Sequence, residues 1–354
     1  MRKRLTRKAK NKRKKQIIIL STTCLLLVLT VGYAAFSTNL NLKAKGNIQI
    51  TDPSCFTVSD NGDGTGTIEN YNKDCGTKVR VPEIINGLTI TKLADTSGDY
   101  EATNVFANKN ITNLWLPNTI TYIGNWSVFN NKLTTIDIPE GVTYIGSHAF
   151  YRNNLTGKLD LPNNLKTIGN VAFHWNNITE VNIPSSVTTL GGGTFSYNNI
   201  TGANVYIYGR KSDGSIDYTK LDSYGGKDAS GTSLPSTVTY IDNAAYFHVT
   251  LPSFEIPSKV THIGYYAFAS NSELRSLSLS NIKLNEGLTY IGISAFQSTN
   301  LTTVDIPSTV TGIEHDAFTD TPNLKTININ RKTNAISGSP WGATGVTVNW
   351  TGTK

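Results

Sequence analysis

The side chains with the most chemical potential are five histidines (His148, His174, His248, His262 and His315) and the carboxylates Asp137, Asp160, Glu255 and Asp305. A hydrolytic metal centre needs histidines one helical turn apart or paired across a short loop. None of the five has that spacing, and each falls in a separate stretch of a repeating pattern. General acid–base work needs two carboxylates with unlike environments inside an enclosed pocket. Asp137 and Asp160 hold equivalent places one repeat apart and can approach each other on adjacent strands, but a regular exposed sheet encloses nothing. The chain has no Gly-x-Ser-x-Gly elbow, no P-loop and no dinucleotide fingerprint. Asp60 and Asp63 sit in DNGDGTGT, which lacks the ligand spacing and distal Glu of a calcium loop and reads as a hairpin turn. The expectation is a protein that is not an enzyme and has no cofactor and no metal.

What positions these side chains is a repeat. In residues 133–154, LTTIDIPEGVTYIGSHAFYRNN, Leu133, Ile136 and Ile138 alternate with polar residues, the period of a half-buried strand that Pro139 ends. Val142 and Ile145 form a second apolar pair, Gly146 supplies a turn, and Ala149-Phe150 point inward before Asn153-Asn154 turn the chain again. The Phe150 slot recurs at Phe106, Phe129, Phe173, Phe195, Tyr246, Phe268, Phe296, Phe318 and Trp341, mostly 21 to 23 residues apart. A unit of that size cannot close its own core, so the turns must stack, with stability summed over neighbouring interfaces. Strands about 4.8 Å apart make ten such turns a rod about 45 Å long.

LTTIDIPEGVTYIGSHAF resembles the leucine-rich repeats of the BspA type, and the resemblance runs over about residues 79–350. It implies a mostly β, right-handed leucine-rich-repeat solenoid of about ten turns, and a role in adhesion or protein binding rather than one reaction.

The ends of the chain add targeting and capping. Residues 1–15 hold ten Lys or Arg and no acid, followed by the apolar run Ile17 to Phe36. That is the pattern of an export signal or a membrane anchor rather than a nucleic-acid arm. The stretch VGYAAFSTNLNLKAKGNI is similar to the cleaved signal segments of camelysin-like and TasA-like surface proteins, which implies cleavage near Ala34 or Ala35. Without residues 1–36 the chain keeps 22 basic (32 − 10) and 25 acidic residues, a net charge of −3 instead of +7. No basic patch then argues for nucleic acid. The expected organisation is a signal or anchor at 1–36, a linker at 37–54, a hairpin cap at 55–93 and the solenoid at 94–354. Cys55 and Cys75 bracket the cap hairpin as a disulfide or, alternatively, as two buried thiols.

Binding is expected on two features. The exposed strand positions Trp115, Asp137, Asp160, Asn182, Tyr206, Glu255, Ser278, Asp305 and Asn328 should form a polar, acidic column with two aromatic anchors. The period also fails between Phe195 and Tyr246, where about residues 209–231 read as an inserted hairpin turning at Ser212-Asp213-Gly214. Tyr208, Arg210, Lys211, Asp213 and Tyr218 are its candidate contacts. Asn154, Asn177 and Asn199 read as left-handed turn residues rather than glycan sites. The function expected is an exported, cell-surface or secreted scaffold for a protein or glycan ligand. A self-associating wall or matrix component is the alternative, and an extracellular hydrolase a further one.

Overall fold

In a computed structural model describing residues 49–96, 105–270 and 278–353, Thr51–Lys354 form one mostly β unit coiled into about twelve turns. The expected signal or membrane segment at 1–36 lies outside the described residues. Among those residues no helix is long and apolar enough to cross a membrane.

The most regular element is the short Tyr-Ile pair rather than the longer apolar strand. Tyr122–Ile123, Tyr144–Ile145, Thr167–Ile168 and Thr189–Leu190 pair in parallel, each residue opposite its counterpart one turn away. The ladder resumes at Lys220-Leu221 and runs through Tyr240–Ile241, His262–Ile263 and Tyr290–Ile291 to Gly312–Ile313. Glycine follows six of these nine pairs, at Gly124, Gly146, Gly169, Gly191, Gly264 and Gly292, and is a packing requirement there. A Cβ on Gly146 would lie 2.5 Å from the Asn125 backbone nitrogen, and one on Gly169 would lie 2.3 Å from that of Ser147.

The strand expected at 133–138 does not form, although Leu133 and Ile136 are buried as expected. The turn that follows is one residue longer between its leucine and its proline (Leu155 to Pro162 against Leu133 to Pro139), with Gly157 left-handed at φ 72°. The longer turn still pairs with the shorter one after it, through a bulge at Ile178/Glu180. The outer ladder survives in segments: Lys78–Arg80 with Asn113–Trp115, Thr156–Asp160 with Asn177–Asn182, and Ser253–Glu255 with Asn281–Lys283. A fourth joins Thr303–Ile306, Thr326–Ile329 and Thr347–Trp350.

Between the ladders lies a column of rings. Phe150, Phe173 and Phe195 stack at 5.1 and 5.4 Å, nearly parallel. Tyr224, Tyr246, Phe268, Phe296 and Phe318 continue at 5.2 to 5.6 Å. The sequence reading needs one correction here. Val128, not Phe129, holds the slot before Phe150, because the Val128 N–H bonds the Ala149 carbonyl as the Phe150 N–H bonds that of Ala172. Phe129 instead joins a satellite cluster with Ala107, Tyr151, Val171 and Ala244. The turn count rises for a related reason. Tyr71 packs on Phe106 at 5.6 Å, and Tyr224 fills the apparent gap, so both occupy ring slots in stretches where the phenylalanine beat is absent. Trp341 is buried at the far end as expected, with Trp350 as its ring neighbour.

Four consecutive turns are each sealed by a buried asparagine. The Asn176 amide donates to the Phe150 and Phe173 carbonyls at 3.0 Å, and its oxygen accepts the Leu155 N–H at 3.0 Å. Asn131, Asn153 and Asn198 repeat the arrangement. Thr299 and Thr321 take over in later turns. Buried carbonyls left unpaired would cost about 1–3 kcal/mol each, so these amides hold the turns closed. The expected left-handed asparagines are a second correction. Arg152, Trp175 and Tyr197 adopt φ of 55 to 57°, whereas Asn154, Asn177 and Asn199 do not.

At the N-terminal end Phe56–Asp60 and Thr65–Tyr71 form the antiparallel cap hairpin, and Cys55 and Cys75 are disulfide-bonded. Closing a loop of 20 residues contributes about 3 kcal/mol by the chain-entropy model. Asp60 and Asp63 cap the hairpin turn, accepting from the Gly62 and Thr65 N–H groups at 2.8 and 3.0 Å.

Removing one ring should be felt over two interfaces. Phe173→Ala is expected to cost about 3–5 kcal/mol, read as a lower urea midpoint. A loss under 1 kcal/mol would mean that the stacked rings do not carry the core.

Candidate functional site

The exposed column exists in pieces. Asp160 faces Asn182 in register, and Asp305 faces Asn328 and then Asn349. The Asn328 amide donates to Asp305 at 2.7 Å and the Asn349 amide to Asn328 at 2.9 Å. Glu255 is paired with Lys283 at 2.7 Å and also accepts from Asn285, which lowers its carboxyl pKa through those hydrogen bonds. Trp115 stands half-buried beside Arg80. Tyr206 is engaged: its hydroxyl donates to the Ser233 carbonyl at 2.9 Å and its ring packs edge-on against Tyr224. Ser278 is buried and leaves the column, because Asn281–Lys283 pairs with Ser253–Glu255 and brings Lys283 opposite Glu255.

Asp137 and Asp160 share the wall of a groove of about 260 Å³ beside residues 135–138, which form no strand. Its floor is apolar, from Ile136, Leu159 and Ile178, and its rim carries Glu140 and Lys158. A second cavity, of about 410 Å³, lies beside the cap next to Tyr122. Its Asp95 carboxylate already accepts from the Tyr122 hydroxyl at 3.1 Å and the Asn125 N–H at 2.6 Å.

The inserted hairpin is shorter than expected and does not project freely. Tyr206–Arg210 and Ile216–Tyr224 pair antiparallel, and Lys220-Leu221 already belong to the next regular turn. Arg210 donates to the Ile183 carbonyl at 3.1 Å, and Gly214 is buried against Ser185, where a Cβ would sit 2.0 Å from the carbonyl oxygen. The hairpin thus lies along the turn that carries Asn182. Lys211, Asp213, Ile216 and Tyr218 remain exposed, with Tyr218 edge-on to Tyr208 at 5.0 Å.

Where the hairpin returns, the chain builds a buried polar knot. Lys220 pairs with Asp242 at 2.7 Å, and Ser223 donates to Asp222. Burial, and then the Asp242 charge, raise the Asp222 pKa well above the carboxylate range. This is the perturbed carboxylate a hydrolase would need, but Asp222 is fully buried and lines neither cavity.

The histidines were read as scattered, and the structure corrects that for three of them. None of residues 216–226 is left-handed, so this turn lacks the loop its neighbours carry. The flanking turns meet across the gap: Ser196 donates to the Ala244 and Ala245 carbonyls. His174 Nε2 comes within 3.3 Å of His248 Nδ1, 74 residues away. His148 stacks on Trp126 at 3.8 Å, Tyr151 covers His174 at 5.0 Å, and Arg152 lies 4.9 Å over Trp175. Burial lowers His148 to about 4. Burial, reinforced by Arg152, lowers His248 to about 3. His174 is also lowered well below the ordinary histidine value, through burial and then its two histidine neighbours. The only sequence signal for this cluster was the missing loop after Tyr224. Among the described residues no three His, Cys, Asp or Glu side chains are grouped to hold a metal ion.

The chain matches the BspA type leucine rich repeat region in six copies, over residues 102–208 and 222–341. Among solved structures, a leucine rich cell surface protein of Faecalibacterium prausnitzii is 19% identical, with 88% of this chain and 97% of that one covered and a TM-score of 0.46. A leucine-rich repeat protein of Eubacterium ventriosum is 20% identical, with 84% and 91% covered and a TM-score of 0.49. The pneumococcal vaccine antigen PcpA is 20% identical, with 79% and 80% covered and a TM-score of 0.47. No curated protein matches the chain.

Because His148, His174 and His248 hold fewer protons when folded than when unfolded, stability should fall as pH drops below about 6.5, the ordinary histidine value. His148→Phe keeps the ring on Trp126 and removes one such group. Its stability relative to the parent should therefore rise as pH falls from 6.5 toward 4, by up to about 1.4 kcal/mol per pH unit. Parallel urea-midpoint profiles would contradict this.

Proposed function

As the chain belongs to the BspA-type leucine-rich repeat family, we propose that it is an exported surface scaffold that binds a protein partner across its outer strand face and the adjoining hairpin. The observation that carries this reading is the contrast between its two ladders. On the Tyr-Ile side, ring faces cover one another, as Tyr122 and Tyr144 do at 4.5 Å and Tyr240 and His262 at 5.5 Å. On the outer side, Asp137, Asp160, Asn182, Glu255 and Asp305 are exposed. The hairpin extends that side with Lys211, Asp213 and Tyr218, an aromatic anchor set among charges. Export is supported by the basic run before residues 17–36, and an adhesive role by the family alone. A glycan ligand and self-association into a matrix are the readings it competes with.

Photo-crosslinking amino acids placed at Asn182, Asp305 or Lys211 in the native cells should yield discrete protein adducts, and the same probe at Thr189 on the Tyr-Ile face should not. Adducts from Thr189 alone would move the site. Adducts only between copies of this chain would favour the matrix role, and no adduct from any outer position would overturn the proposal.

A further inference from the structure

The polar knot where the hairpin rejoins the coil holds an amine against a carboxyl group, in a place that most of the ladder keeps for glycine. We propose that Lys220 and Asp242 condense into an amide, a covalent cross-link between two consecutive turns, with Asp222 as the proton carrier. The cross-link goes beyond the binding reading and does not depend on it.

Three observations converge. First, the slots are unusual. Leu221 pairs with Ile241 and Ile241 with Ile263, so Asp222 and Asp242 occupy in consecutive turns the slot that Gly264 fills in the next. Two carboxyl groups buried side by side are costly unless they are neutralised. Second, the reacting groups touch. Lys220 Nζ lies 2.7 Å from Asp242 Oδ2, and the Asp242 side chain is only 5% exposed. That nitrogen is the sole partner of Oδ2 among the described residues, while Oδ1 accepts the Asn243 N–H at 2.8 Å. Third, a further carboxyl group is sealed in beside them. Asp222 is fully buried, Ser223 donates to its Oδ2 with the Thr194 N–H nearby, and its Oδ1 makes no hydrogen bond.

At rest the pair is an ammonium and a carboxylate, because burial lowers the Lys220 pKa and the Asp242 contact more than restores it. Moving one proton across the 2.7 Å contact gives a neutral amine and a neutral acid, the form that burial favours. Nζ then attacks Cγ of Asp242. The Asn243 N–H, already on Oδ1, stabilises the negative charge that develops there. Burial, and then the Asp242 charge, raise the Asp222 pKa well above the carboxylate range, so that it keeps a proton to give. It protonates Oδ2 as the C–O bond breaks and recovers a proton from the nitrogen. One N–C bond forms, one C–O bond breaks, one water leaves, and Asp222 ends as it began. No oxidant, reductant or further reactant is consumed. Holding the pair in place removes the entropy of encounter, which in well-oriented cases equals an effective concentration on the order of 10⁵–10⁸ M. The link braces the coil at the turn that lacks its neighbours' loop.

The test keeps the full chain folded at neutral pH overnight, then denatures, reduces and digests it with trypsin for mass spectrometry. The expected product is residues 212–227 joined to residues 228–259, uncut after Lys220 and lighter than the two peptides together by one water. An ion pair does not survive denaturation, so cleavage after Lys220 with 228–259 free and at full mass would overturn the proposal. Lys220→Arg keeps a cation beside Asp242 but removes the nucleophilic amine, and should yield no linked peptide; a linked product from it would overturn Lys220 as the nucleophile. Asp222→Asn should lower the linked fraction at least about tenfold after the same interval, and an unchanged fraction would overturn the part given to Asp222. The parent digest decides the cross-link whether or not either variant folds.

Discussion

One ring in nearly every turn, stacked 5.1 to 5.6 Å from the next through Phe150 to Phe195 and again through Tyr224 to Phe318, is the constraint from which the rest of this structure follows. A stack at that spacing fixes the rise of the coil close to a strand spacing, so the Tyr-Ile pairs fall into register. Glycine then becomes obligatory where consecutive turns touch at Gly146 and Gly169. Bringing the rings inward drags backbone carbonyls with them, and Asn131, Asn153, Asn176 and Asn198 cap those carbonyls from inside. Val128 shows the tolerance of the column: one aliphatic side chain keeps the repeat while Phe129 is displaced into the satellite cluster.

Much of this was legible because periodicity is a property of the chain itself. The repeat, the cap hairpin and the cysteine pair that brackets it could be read from spacing, and the family from its resemblance to known repeats, while the structure decides for the disulfide over two buried thiols. The misreadings have a common cause. Counting phenylalanines hid the two turns centred on Tyr71 and Tyr224, and it assigned Phe129 to a slot that belongs to its neighbour. The meeting of His174 and His248 was beyond reach for a different reason. It depends on a loop that one turn omits, and an omission leaves no residue to point at. Residues 135–138 form no strand although the preceding turn keeps the same spacing, Ile111 to Pro117 against Leu133 to Pro139, so nothing in the spacing foretold it.

The outer face and the inner column have opposite physical characters, and the functional reading depends on that division. Of the ionisable groups with strongly shifted protonation, His174, His248 and Asp222 are buried and His148 is half-buried, where they join turns to one another. Exposed carboxylates such as Asp137, Asp160 and Asp305 lie where a partner can reach them. Recognition over a broad surface needs groups that a partner can reach, and these exposed carboxylates meet that need.

Native-state hydrogen exchange on the full chain addresses this division most directly. The Gly146 and Gly169 amides, bonded at 2.8 Å to the Ile123 and Ile145 carbonyls, belong to the ladder that should open only with the whole coil. Residues 135–138 should exchange at least about 100-fold faster than these two glycines, as an open face on a closed spine requires. Comparable protection at 135–138 would mean that the outer strand is closed, and would contradict the account of this face as the one left available for binding.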